Sequence, residues 1–222
     1  MHWIAIVVVG CLAAASVGYL YWLHSPSPSR PALSGTVETK EFDLGGNRRR
    51  SMQYIPRAIP LNAPMLLVLH GTGQTGAKIR QWTGYEFDAM ADRHGFVVAY
   101  PDGYKGGWND CRKQGSTPAK AQNIDDVGFL RAVIERSQQE QGVDGRRVFV
   151  TGYSNGAQMG FRLIAEAPGA VAGLAVAGAK SARPREFRVH VLRQFSSCDD
   201  RQWDQGSHQP VRPRGGLHLW FQ

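Results

Sequence analysis

Cysteine is scarce in this chain, three in 222 residues. That number builds no paired disulfide framework, and no Cys/His spacing resembles a zinc site. Segregated charge is missing as well. The formal net charge is +8, yet the basic residues fall in scattered groups such as Arg48-Arg49-Arg50 and Arg146-Arg147 without aromatics interleaved on one element. That argues against a nucleic-acid partner and leaves solvation as the use of the charge. No Lys or Arg precedes the first apolar stretch, so the positive flank usual for an export signal or a cytoplasmic membrane border is lacking. With 222 residues and 42% hydrophobic content the chain supports one substantial core, and ordinary domain sizes argue against two.

What is present begins with that stretch. Ile4 to Leu23 is apolar and long enough to cross a bilayer, and Trp3, Tyr19, Tyr21 and Trp22 near its ends suit interfacial positions. Residues 1–23 are therefore expected to be an export signal or a membrane anchor, with the remainder secreted or held extracytoplasmically and membrane contact confined to residues 4–23. Val8-Val9-Gly10-Cys11 loosely matches a lipoprotein cleavage site, but the apolar run continues past the cysteine, so lipidation is not expected. Residues 24–35, with Ser25-Pro26-Ser27-Pro28-Ser29-Arg30-Pro31, read as an extended tether.

From residue 36 the pattern changes. Thr36 to Leu44 and Arg50 to Ile55 predict an antiparallel pair joined through Gly45-Gly46-Asn47. Strands at Met65 to Leu69, Phe96 to Tyr100, Arg147 to Thr151 and Gly173 to Gly178 then alternate with helices at Ala77 to His94, Asp125 to Gln141 and Asn155 to Ala167. This is the period of parallel βαβ units, whose ligands bind at the carboxyl ends of the strands.

Two motifs fall at those ends. Gly152-Tyr153-Ser154-Asn155-Gly156 follows an apolar strand and opens a helix, the setting of a nucleophile elbow, with Ser154 as nucleophile. Met65 to Leu69 runs into His70-Gly71-Thr72-Gly73-Gln74-Thr75-Gly76, whose bare backbone N–H groups suit an anion. Acyl transfer needs two donors where the carbonyl oxygen gains charge; the Asn155 amide supplies one, and Thr72 or Gly73 the other. His70 reads as structural, because hydrolases of this kind carry the base after the serine in sequence. Asp125 and Asp126 read as helix-capping charges, and Asp102 as a turn residue in Pro-Asp-Gly. Trp108 and Asn109 lie in an irregular stretch, Asp102 to Gln122, and either shape an acyl or aromatic pocket or simply pack that loop.

The runs LLVLHGTGQTG, ADRHGFVVAYPDG, GGWNDC, DDVGFLRAVIE and GVDGRRVFVTGYSNGAQMGFRLIAEAP together resemble the secreted esterases grouped with polyhydroxybutyrate depolymerases and feruloyl or acetylxylan esterases. The resemblance covers Thr36 to Ala179. It implies an α/β-hydrolase fold with a mostly parallel sheet and helices on both faces, a Ser-Asp-His triad, no cofactor or metal, and a small or polymeric ester as substrate. Ser154 matches the family's nucleophile and Gly71 to Gly73 its oxyanion loop. Two other functions stay open: a serine peptidase or acyltransferase on the same fold, and a membrane-tethered binding protein without catalysis. The residues do not indicate an oligomeric state.

After Ala179 the βαβ period is lost, and the C-terminal strands of such a fold read as missing or aberrant. The family would continue with an apolar strand, a Gly-Thr-x-Asp turn bearing the acid and, much later, the histidine. Back-translated and shifted forward one nucleotide, the region from Lys180 permits NLPAPENFACT, and Cys198 through Gln209 permits AMIVNGTKD, with the glycine from Trp203 forced. We therefore expect 36–179 to be an incomplete hydrolase domain and 180–222 an out-of-frame tail. Read as a genuine terminus, it offers Asp199 or Asp200 as acid and His208 or His218 as base, with too few residues between them for the helix and strand that carry the base back.

Overall fold

The computed structural model describes residues 2–23, 28–110, 112 and 116–179; the expectations for 180–222 lie outside the described residues. The first apolar stretch is one 22-residue helix, α1 (His2–Leu23), with Trp3, Ile4, Leu20 and Tyr21 exposed. Over the described residues no helix is long and apolar enough to cross a membrane. The span expected from sequence also counts positions such as Ala5 and Trp22, whose side chains lie outside the description.

β1 (Thr36–Leu44) and β2 (Asn47–Ile55) form the expected hairpin, with Leu44 opposite Asn47. β2 starts at Asn47 instead of Arg50 because Gly45 and Gly46, at φ 58 and 75, close a two-residue turn whose twist matches the strands. Ser34 and Gly35, within the stretch 24–35 expected to be a tether, are bonded to the domain. Ser34 donates to Asp92 through its N–H (2.7 Å) and its hydroxyl (2.8 Å), and the Gly35 N–H donates to the Tyr54 hydroxyl at 2.7 Å.

β3 (Ala63–Leu69), β4 (Val97–Pro101), β5 (Val143–Tyr153) and β6 (Gly173–Ala177) complete a six-stranded sheet in the order β1-β2-β4-β3-β5-β6. β2 joins β4 antiparallel, while β4, β3, β5 and β6 run parallel. Alternation along the strands splits the core in two. Met65, Leu67 and Leu69 face α5 (Asp126–Gln141) and α6 (Asn155–Glu166), where Phe129, Leu130, Val133, Met159 and Leu163 are buried. On the other face Val68, Val98 and Tyr100 meet Ile79 of α2 (Gly76–Trp82) and Ala91 of α3 (Glu86–His94), and a single-turn α4 (Pro118–Ala121) precedes α5.

The single helix expected over Ala77 to His94 is thus two. The Thr83 hydroxyl donates to the Ile79 and Arg80 carbonyls, and Gly84 and Tyr85 at φ 66 and 60 break the turn. Parallel strands bring the turns that leave β3, β4 and β5 to one edge of the sheet, which is where the motifs meet.

Candidate active site

Ser154 links β5 to α6 at φ 53 and ψ −116. A serine adopts such a backbone only under constraint, at a cost of about 1–3 kcal/mol. The constraint comes from both sides: the Ser154 N–H donates to the Ala177 carbonyl of β6 (3.0 Å), and its carbonyl accepts from the Gln158 N–H (3.2 Å). The flanking glycines make the bend possible. A Cβ on Gly156 would lie 2.3 Å from the Leu69 carbonyl oxygen, and one on Gly152 would lie 2.6 Å from the Gly156 carbonyl oxygen.

Serine at a helix N-cap ordinarily turns its hydroxyl onto the first amides of the helix. Ser154 occupies the N-cap of α6 and makes no such bond. Its half-buried hydroxyl is left for another partner.

The loop after β3 lies directly against this bend, since a Cβ on Gly71 would sit 3.5 Å from the Ser154 Cβ and 3.1 Å from the Tyr153 ring. Of the expected donors, Asn155 begins α6, with its amide at the positive end of the helix dipole. Thr72 presents an N–H without a hydrogen-bond partner among the described residues. Gly73 is corrected: its N–H donates to the Gly106 carbonyl at 2.7 Å and is not available to a substrate. Of the three expected donors, this leaves the amides of Thr72 and Asn155.

His70 is structural, as expected. It is fully buried; its Nδ1 lies 2.7 Å from the Gly71 carbonyl and its Nε2 accepts the Gly103 N–H at 2.8 Å. That pair of bonds defines a neutral ring protonated on Nδ1. Burial holds the imidazole below its ordinary value of 6.5, against weaker raising influences of the Gly71 carbonyl and Asp102. The other histidine with a described side chain, His94, ends α3 and so lies at the amino edge of the sheet, opposite Ser154. Neither can take the serine proton.

Trp108 and Asn109 prove to be packing residues, not pocket walls. Trp108 is completely buried; its indole N–H donates to the His70 carbonyl (2.9 Å) and its backbone N–H to Asn155 Oδ1 (2.8 Å). The Asn109 N–H donates to Asp126 Oδ2 (2.7 Å), and its carbonyl accepts from Arg162 (2.6 Å). Asp126 is more than a capping charge. It is fully buried and paired with the buried Arg49 at 2.7 Å, whereas Asp125 caps α5 by accepting from the Gly128 N–H at 2.7 Å. Burial pushes the Asp126 carboxyl up, with Arg49 and the Asn109 amide pulling against it.

Asp102 does more than turn the chain, accepting from the Gly76 N–H at 2.7 Å and pairing with Arg50. Nothing in the sequence signals the role of the Asn155 side chain, since its partners come from a distant loop. Among the described residues no three His, Cys, Asp or Glu side chains gather as a metal site would.

A sheet in this strand order, with a strained serine where β5 turns into α6 and a glycine-rich loop laid across it from β3, defines an α/β hydrolase. A solved structure of brefeldin A esterase, a bacterial homologue of human hormone sensitive lipase, shares the fold at TM-score 0.51 and 22% identity, over 76% of this chain and 47% of that one. The chain belongs to the family described as esterase PHB depolymerase, which residues 51–187 match.

Among curated relatives, NocK of Nocardia uniformis subsp. tsuyamanensis, which carries an esterase name, is 31% identical over 87% of this chain and 54% of its own length. Poly(3-hydroxyalkanoate) depolymerase C of Paucimonas lemoignei is 26% identical over 66% of this chain and 35% of its own. The chain thus spans about half or less of these relatives.

Proposed function

We propose that this chain carries the nucleophile and oxyanion donors of a serine esterase acting on carboxylic esters, of the polyhydroxyalkanoate or acyl-decorated polysaccharide class. One observation carries the reading: a strained N-cap serine whose hydroxyl is not used for capping, set against the Thr72 amide, unpartnered among the described residues, and the first amide of α6. In the reaction a base removes the Ser154 proton as Oγ attacks the ester carbonyl. The two amides hold the tetrahedral oxyanion, and the alcohol leaves with a proton from the base. Water then repeats the sequence on the acyl-enzyme and releases the acid.

The described histidines do not supply the base. We infer that base and acid belong to the C-terminal portion of the family fold, for which residues 180–222 stand out of frame, and that residues 1–23 direct export or anchor the domain outside the cytoplasm. A chain lacking both partners retains only residual catalysis, with turnover lower by about 10⁴ to 10⁶.

The test is hydrolysis of p-nitrophenyl butyrate together with fluorophosphonate labelling, using Ser154→Ala as control. Slow, Ser154-dependent labelling with weak turnover is the expected result. Robust turnover would make the tail a working part of the enzyme. No labelling alongside retained polyester or polysaccharide binding would replace the esterase with a binding protein, and preference for peptides or acyl acceptors would move it to a peptidase or acyltransferase. Resequencing the coding DNA around Lys180 decides the reading frame.

A further inference from the structure

We propose that Trp108 is the positioning residue that sets the spacing of the two oxyanion donors, an inference that rests on the esterase reading above. Thr72 and Asn155 belong to segments more than eighty positions apart, and no described hydrogen bond joins them directly. Trp108 reaches both. Its indole N–H holds the His70 carbonyl at 2.9 Å, two residues before Thr72, and its backbone N–H holds Asn155 Oδ1 at 2.8 Å.

The second arm is reciprocal, because Asn155 Nδ2 donates back to the Trp108 carbonyl at 3.3 Å and also to Asp110. The Thr117 hydroxyl donates to the same carbonyl at 3.0 Å, so the strut is fixed from behind. The His70 and Trp108 rings pack with centroids 5.1 Å apart. Two further bonds run parallel to it: the Gly103 N–H to His70 Nε2 (2.8 Å) and the Gly73 N–H to the Gly106 carbonyl (2.7 Å).

Oxyanion donors act through preorganisation, since a donor that must reorient during the reaction loses most of its worth. Trp108, His70 and Asn155 are all completely buried, so each of these bonds lies out of competition with water. Tryptophan suits this position because its rigid ring delivers one donor at its far end while the backbone delivers another at its root.

The experiment uses the full chain with Trp108→Phe, which keeps an aromatic ring and removes the indole donor. The readout is ¹⁵N relaxation of the Thr72 and Asn155 amides. Their order parameters are expected to fall from about 0.85 to below about 0.6, with Val98 and Val150 unchanged. Where turnover is measurable, kcat falls about tenfold at constant KM, as for a group that acts only in the transition state.

Unchanged order at Thr72 and Asn155, or an equal loss across β4 and β5, overturns the proposal, the latter by making Trp108 an ordinary core residue. If Trp108→Phe does not fold, Asn155→Ala decides, because it cuts the second arm and leaves the donating amide in place. Labelling of Ser154 in the wild-type chain reports on the esterase reading separately from the relaxation result.

Discussion

At the scale of single residues, Ser154 shows how neighbours hold a backbone where it would not settle by itself. Its backbone is held in a region serine avoids, and the hydroxyl forgoes the capping bond that its position offers. The glycines are the condition for both. Gly156→Ala would place a methyl 2.3 Å from one backbone oxygen and 2.5 Å from another, the carbonyls of Leu69 and His70, neither of which can swing away. We expect a loss of about 3 kcal/mol, read as a lowered urea midpoint, together with lost fluorophosphonate labelling. Gly169→Ala has nothing within 4 Å of the added carbon and should stay within about 0.5 kcal/mol of wild type. A Gly156→Ala protein as stable as Gly169→Ala would mean that the elbow is looser than described.

At the scale of elements, the start of α5 sets two adjacent carboxylates to different work. Asp125 is exposed and caps the helix; Asp126 is buried against Arg49 and accepts the Asn109 amide. Asp125→Ala should cost about 1 kcal/mol, as for an ordinary cap. Asp126→Ala should cost about 3–5 kcal/mol, because it strands a buried guanidinium. Chemical denaturation of the two variants side by side measures the gap, and equal costs would refute the separate roles.

Sequence could not separate these residues. Both fit the N-terminus of a helix, and only the arrival of Arg49 from β2 and Asn109 from the loop after β4 makes one of them a core residue. The same holds for Trp108. A tryptophan in an irregular stretch fits a pocket wall as well as a buried strut until its partners, His70 and Asn155, are known. By contrast, the parallel strands and the helices α5 and α6 were legible within a few residues, because period and breakers are local properties, whereas the break between α2 and α3 was not read.

At the scale of the whole molecule, buried titratable groups shape the response to pH. His70 has a folded value below 6.5, so between the two values the unfolded chain binds the extra proton. Its contribution to stability is fully present above pH 6.5 and is lost as pH falls through the folded value, with a slope of up to about 1.4 kcal/mol per pH unit. Asp88 and Asp126, both raised by burial, act with the opposite sign, their contribution being present below 3.8 and lost as pH rises through their folded values. Comparing wild type with His70→Gln isolates the histidine. Unfolding free energy should drop between pH 7.5 and 5.5 more steeply in the wild type, and parallel curves would show that His70 is not the titrating group.

The order of the strands, the strand-to-helix turn at Ser154 and the position of the glycine-rich loop were determined by the sequence alone, because each rests on local spacing. Tertiary structure decided which loop amides have no partner among the described residues. Gly73 and Thr72 are equal as sequence, and Gly106, arriving from the loop after β4, takes the amide of Gly73, while that of Thr72 meets no partner among the described residues. Hydrogen-bond capacity is settled by whatever the folded chain brings alongside, and that neighbour is written thirty residues away.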